Sequence, residues 1–157
     1  MGKTVLACYD KLNPNAFKAD LFRYSVVYTY GGCYLDIGIV AVANLRSFIR
    51  ATDTFVSTPD GLPPHVNLNA ATFCSTAKNP ILDVAIRRLV KRVANSQYGH
   101  DMLDITGPWI LRKGFSTFFK DPSLEIVEKE YCMGVRLEGL ELNPECRVNR
   151  LTYGSNR

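Results

Sequence analysis

The chain has no apolar run of about 18 residues, the length a membrane-spanning helix needs. Met1-Gly2-Lys3 opens no apolar secretory stretch, and the residues after Gly2 do not fit a myristoylation signal. No Asn-x-Ser/Thr sequon and no C-x-x-C pair occur, and there are only two histidines. The five cysteines (Cys8, Cys33, Cys74, Cys132, Cys146) are odd in number and widely spaced. That spacing argues against a zinc site and against a disulfide framework, and it leaves buried thiols as the expectation. The net charge of +4 is dispersed, with Arg87, Arg88, Lys91 and Arg92 as its one local cluster. No aromatic-interleaved basic stripe accompanies it, so nucleic acid is not an expected partner and the cluster reads as the wet face of a helix. As given, the chain reads as cytoplasmic, with the Golgi lumen as the alternative if an anchor has been removed.

What is present is ordinary for a folded domain. The 157 residues, 46% hydrophobic and 22% charged, fit one domain with a core of its own, taken as residues 1–157. There is no internal repeat and no low-complexity linker.

Residues 3–8 are an apolar run of undetermined type. Asn13-Pro14-Asn15 reads as a helix start, with Pro early and Asn as the cap. From Ala16 to Tyr30, Phe17, Leu21, Tyr24 and Tyr28 recur at helical spacing. Asp20 and Arg23 share a different face, and Gly31-Gly32 ends the helix. Cys33–Ile37 and Gly38–Val42 then read as a buried strand with a carboxylate, Asp36, near its end. Residues 54–57 and part of 65–75 are further strands, with a turn expected at Pro59-Asp60-Gly61. Asn79-Pro80 caps a helix that faces Ile81, Leu82, Ala85, Ile86, Leu89 and Val93 inward. Thr106-Gly107-Pro108 opens another helix through about Phe119, with Trp109 expected in the core. Strands are then expected at 124–127 and 135–142. Interleaved strands and helices indicate an α/β layer architecture.

The informative segment runs from Lys18-Ala-Asp-Leu-Phe-Arg-Tyr to Tyr30-Gly-Gly-Cys-Tyr-Leu-Asp36. A helix presents Asp20 and Arg23, ends at a double glycine, and hands over to a strand that delivers Tyr34 and Asp36. Open α/β sheets bind ligands where strands give way to loops. An aromatic, a guanidinium and carboxylates converging there suit a nucleotide. Taken alone, Asp20–Arg23 is an i,i+3 helix pair worth a few tenths of a kcal/mol. A lone carboxylate ending an apolar strand is costly without a partner, which favours function for Asp36. His65 reads as a loop residue, and His100, Asp101 and Asp104 read as a solvated cluster rather than a metal site.

This segment resembles the sugar-binding region of glycosyltransferase family 32, which includes alpha-1,6-mannosyltransferases and many bacterial and viral relatives. The catalytic domains of the large clostridial glucosylating toxins are similar over the same stretch. The residues that carry the resemblance are Pro14, Ala16, Lys18, Ala19, Asp20, Arg23, Tyr24, Tyr30, Gly31, Gly32, Tyr34, Leu35 and Asp36. Asn69-Ala70, Asn79-Pro80 and Thr106-Gly107-Pro108 look like later landmarks, so the similarity covers about residues 8–115.

The resemblance implies an α/β, GT-A-like nucleotide-diphospho-sugar transferase fold, whole or truncated at both ends. It implies a hexose transferred from a UDP- or GDP-sugar to a hydroxyl of a glycan or protein acceptor, with retention. Carried over, Asp36 and Arg23 are the catalytic residues. Asp20, Arg23, Tyr34, Asp36, Lys18 and Asn69 bind the donor, and Asp36 holds Mn2+ or Mg2+. The family's Asp-x-Asp reads Asp36-Ile37-Gly38 here, and Gly38 supplies no side-chain oxygen for a hard cation. Asp36 with the diphosphate and waters, a distant carboxylate, or a domain that binds without turnover are the alternatives.

Overall fold

The computed structural model describes residues 2–39, 44–47, 49–60, 67–97, 99, 102–119 and 135–137. The run at 3–8 belongs to helix α1 (Lys3–Lys11). Helix α2 (Asn15–Tyr30) follows a cis Asn13–Pro14 bond, and its N-cap is Pro14 with no side-chain cap bond, so no asparagine caps it. Strand β1 is Gly32–Leu35, β2 is Phe55–Asp60 and β3 is Asn67–Ser75. Then come α3 (Pro80–Ala94), α4 (Met102–Ile105), α5 (Pro108–Phe119) and β4 (Val135–Leu137).

The sheet order is β1-β3-β2-β4. β3 is antiparallel to both its neighbours, and β2 runs parallel to β4. Helices α2 and α5 pack on β3, and α3 packs on both. Phe73 on β3 is the hub of the core, with Tyr24, Phe55 and Tyr34 ring centroids 6.0, 6.0 and 6.1 Å away. Such ring pairs add to area burial through their quadrupoles.

Two glycines set the geometry. Gly31 ends α2 with φ +70, and a Cβ there would lie 2.9 Å from the Ala77 amide nitrogen. Both the left-handed backbone and the close approach require glycine. Gly114 lets α5 close on α3, because a Cβ would lie 2.6 Å from the Ile81 carbonyl oxygen.

Helix α3 follows the expected pattern. Asn79 caps it through the Ile81 amide at 2.9 Å, and Ile81, Leu82, Ala85, Ile86 and Leu89 are buried. Arg87, Arg88 and Lys91 are exposed, but Arg92 departs from the wet face and pairs with the buried Asp104. The expected turn at Pro59-Asp60 is instead the end of β2. The expected strand at Cys33–Ile37 stops at Leu35, and Ile39 donates to the Asp36 carbonyl in a turn. Trp109 is half-buried and stands beside Arg112 and Lys113 rather than in the core. Cys33 and Cys74 are joined as a disulfide across β1 and β3, against the expectation of free thiols; Cys8 is a buried thiol. The double glycine and the intervening strands hide that pairing, since it depends on register rather than on spacing. The strand expected at 124–127, most of that at 135–142, Cys132, Cys146, His65, His100 and Asp101 lie outside the described residues.

Candidate functional site

Helix α2 buries a charged side chain among apolar ones: Arg23 is buried alongside Leu21, Tyr24 and Val27. Its guanidinium therefore needs partners, because an unpaired buried charge is costly. It finds them on three elements. Nη1 donates to the Ala70 carbonyl of β3 at 2.6 Å and to Asp36 Oδ2 at 3.4 Å. Nη2 lies 3.3 Å from Asp20 Oδ1 and 3.3 Å from Asp36 Oδ1. Nε turns back to the Ala19 carbonyl at 3.4 Å. The planar fork of arginine suits this multiple engagement, and a lysine would not reproduce it.

The Ala70 carbonyl is free for Arg23 because β3 bulges there. Ser57 pairs with Phe73 and Pro59 with Leu68, so the single residue Thr58 stands opposite residues 69–72 of β3. Asn69 holds the bulge with its own side chain, its Oδ1 accepting from the Ala71 amide at 2.8 Å and the Thr72 amide at 3.3 Å. Bulges re-aim backbone groups next to functional sites. Asn69 is thus near the cluster, and its carbonyl side chain is committed to the backbone.

Each carboxylate has a second anchor. The Tyr34 hydroxyl donates to Asp36 Oδ1 at 2.8 Å, and the Tyr34 ring lies 4.8 Å from Arg23 Cζ. The Thr106 hydroxyl donates to Asp20 Oδ2 at 2.6 Å. The neighbouring Gly107 carbonyl accepts from the buried Tyr24 hydroxyl at 3.1 Å, fixing the α4–α5 junction on α2. Burial pushes the Asp20 carboxyl up, against the downward pull of Thr106 and Arg23. Burial and donation to Asp36 raise the Tyr34 phenol, which keeps it a neutral donor. Burial also raises the Tyr24 phenol well above its usual value.

Asp20, Arg23, Tyr34 and Asp36 are therefore brought together. Lys18 is not among them: its Nζ lies over the Tyr9 ring of α1, 5.3 Å from the centroid. The sequence offers the Thr106-Gly107 amides as an anion-receiving helix start, but it does not single out the Thr106 hydroxyl or the Ala70 carbonyl. Thr106 sits in the recognisable Thr-Gly-Pro landmark, whereas a backbone carbonyl leaves no sequence signal. Asp104, by contrast, is held by Arg92 and Lys113.

The cluster can accept hydroxyl hydrogens and attract cations. With both carboxylates ionised, two negative charges surround one guanidinium, so its sum is negative. The Asp36 side chain is 26% exposed against 14% for Asp20, which makes Asp36 the more accessible of the two carboxylates. Among the described residues no three His, Cys, Asp or Glu side chains group as a metal site. The donor set fits a hard cation only through Asp36, with the remaining oxygens brought by a phosphate ligand and water. A Cβ on Gly38 would meet nothing within 4 Å, so the position opposite has room for a side chain.

Among the described residues no helix is long and apolar enough to cross a membrane. No curated protein matches the chain. Among solved structures, the chain is similar to "PaToxG Glycosyltransferase", at 20% sequence identity and a TM-score of 0.64. The match covers 74% of this chain and 42% of that one, so the chain spans less than half of that structure's length. The likeness shows a shared fold, consistent with the GT-A-like α/β architecture. A family model described as "Glycosyltransferase sugar-binding region containing DXD motif" matches residues 3–56. Helices α1 and α2, strand β1 and the Asp36 turn thus lie in the stretch that is similar to a glycosyltransferase sugar-binding region, on a fold shared with a solved glycosyltransferase.

Proposed function

We propose that the chain is a glycosyltransferase that transfers a hexose from a UDP- or GDP-sugar to a hydroxyl of a glycan or protein acceptor, with retention. The observation that supports it is the pair of carboxylates, Asp20 and Asp36, held by one guanidinium where β1 ends. Asp36 accepts hydroxyl hydrogens of the donor's sugar or ribose. Asp20, more buried, fixes Arg23 and adds a second acceptor. Arg23 engages Asp20, Asp36, Ala70 and Ala19, so its contribution is to orient the carboxylates and offset their charge. Tyr34 holds Asp36 Oδ1 and thereby the direction of its free lone pairs.

A negative cluster does not attract a diphosphate by itself. Mn2+ or Mg2+ shared between Asp36 and the donor would neutralise the leaving nucleoside diphosphate. The transition-state work of this chain is electrostatic positioning, with no Ser, Cys or His nucleophile. Disulfides persist in oxidising compartments, so the Cys33–Cys74 bond supports the lumenal placement over the cytoplasmic one.

Gly38 favours a second reading, a domain that binds nucleotide or glycan without turnover. A turnover assay separates the two. Each of UDP-glucose, UDP-galactose and GDP-mannose is incubated with the chain and Mn2+, and release of the nucleoside diphosphate is followed. Release above the enzyme-free rate, absent in Asp36→Asn, supports transfer chemistry. Binding without release supports the second reading.

A further inference from the structure

The disulfide joins the two strands that hold the site. Strand β1 has four residues, follows Gly31 and opens on Gly32, and lies at the sheet edge among the described residues. Short, glycine-flanked strands specify their register weakly, and a one-residue slip turns every side chain to the other face. Here Cys33 pairs with Cys74, Tyr34 with Phe73 and Leu35 with Thr72. The same register continues to Asp36, whose amide donates to the Ala71 carbonyl at 2.8 Å. Ala71 adjoins Ala70, the carbonyl that anchors Arg23. A slip of β1 would therefore move Tyr34 and Asp36 away from Arg23 together.

We propose that the Cys33–Cys74 bond is a redox-responsive staple that holds Asp36 in its ligand-binding position, so that reduction by a dithiol weakens binding there. The ligand part rests on the donor-binding reading above. Cys33 is half-buried and Cys74 buried, so the incoming thiolate attacks the Cys33 sulfur. The S–S bond breaks, its electron pair leaves on the Cys74 sulfur, and that thiolate takes a proton. The second thiol of the reductant then attacks the mixed disulfide, closes a cyclic disulfide and releases the Cys33 thiolate, which is protonated in turn. Two electrons and two protons pass from the dithiol to the cysteine pair.

The test uses the native chain, oxidised and after dithiothreitol, so no variant has to fold. Peptide mapping establishes the Cys33–Cys74 cross-link. Hydrogen exchange by mass spectrometry follows the peptide containing Asp36, and calorimetry follows UDP- and GDP-sugars with Mn2+. We expect exchange at Leu35–Asp36 to quicken on reduction and donor affinity to fall about tenfold or more, as misplaced site groups imply. Reoxidation should restore both. Failure of both forms to bind any donor would sink the donor reading alone; the exchange result would still decide the staple. Absence of the cross-link, or equal exchange in the two forms, would overturn the staple. Quickened exchange with equal donor affinity would overturn its link to ligand binding. The double variant Cys33→Ser/Cys74→Ser should match the reduced chain and ignore dithiothreitol.

Discussion

The Arg23 guanidinium donates to the Ala70 carbonyl at 2.6 Å, tying α2 to the bulge of β3 directly beneath Asp20 and Asp36. The site is thus a crossing point of three elements, and its parts support one another.

Removing the crossing point should damage both fold and site. Arg23→Ala leaves Asp20 and Asp36 without their cation and the Ala70 carbonyl without its donor. Breaking a buried pair from one side costs about 3–5 kcal/mol. Urea denaturation should show a loss of that order, and Arg23→Lys should recover only part of it. A loss within experimental error would contradict the buried role of Arg23.

Asp20 carries a pH signature. Its carboxyl is raised chiefly by burial, so the folded state holds its proton more tightly than the unfolded chain does. The resulting stabilisation is complete below the ordinary Asp value of 3.8 and is lost as pH rises through the folded pKa. The stability of the native chain relative to Asp20→Asn should therefore decline as pH rises above about 4 and through the raised folded value. Paired denaturation curves check this, and a difference that grows with pH would contradict it.

Asn69 acts on the backbone. Asn69→Ala strips the Ala71 and Thr72 amides of a partner, at a cost of about 1–3 kcal/mol. Because Ala70 lies in the same bulge, donor affinity should fall with stability. A variant that loses donor affinity with unchanged stability would instead place Asn69 in direct contact with the donor.

Gly38 can be refilled. Nothing lies within 4 Å of a Cβ there, so Gly38→Asp should fold like the native chain and restore the second carboxylate of the motif. Its Mn2+-dependent donor affinity should rise by about tenfold, the effect of one added hard ligand taken as roughly 1.4 kcal/mol. Calorimetry with and without Mn2+ reads this, and unchanged affinity would detach position 38 from the metal. Gly114→Ala is the contrasting control: a Cβ 2.6 Å from the Ile81 carbonyl should destabilise by about 1–3 kcal/mol and leave donor affinity alone.

Much of this was legible in the sequence where pattern and chemistry coincide. Asn79-Pro80 and the apolar spacing after it specify α3, and Gly31-Gly32 marks the end of α2. Asp20, Arg23, Tyr34 and Asp36 are readable as a group because one helix and one strand carry them in order. Arg23 was readable as a site residue but not as a buried one, since its burial depends on an acceptor from β3. The anchors from elsewhere were hidden for the same reason. The Ala70 carbonyl depends on a bulge, the Cys33–Cys74 bond on strand register, and the placement of Lys18 over Tyr9 on how α1 meets α2. Arg92 looked like one of four surface cations, and only the position of Asp104 shows that it turns inward.

The central claim is that a nucleotide-sugar binds at Asp36. Its most direct test is calorimetric titration of UDP-glucose, UDP-galactose and GDP-mannose, with and without Mn2+, on the native chain and on Asp36→Asn. The account predicts that one donor binds the native chain with Mn2+ and that binding is lost in a folded Asp36→Asn. Equal binding to the two proteins, or no binding of any donor to the folded native chain, would contradict it.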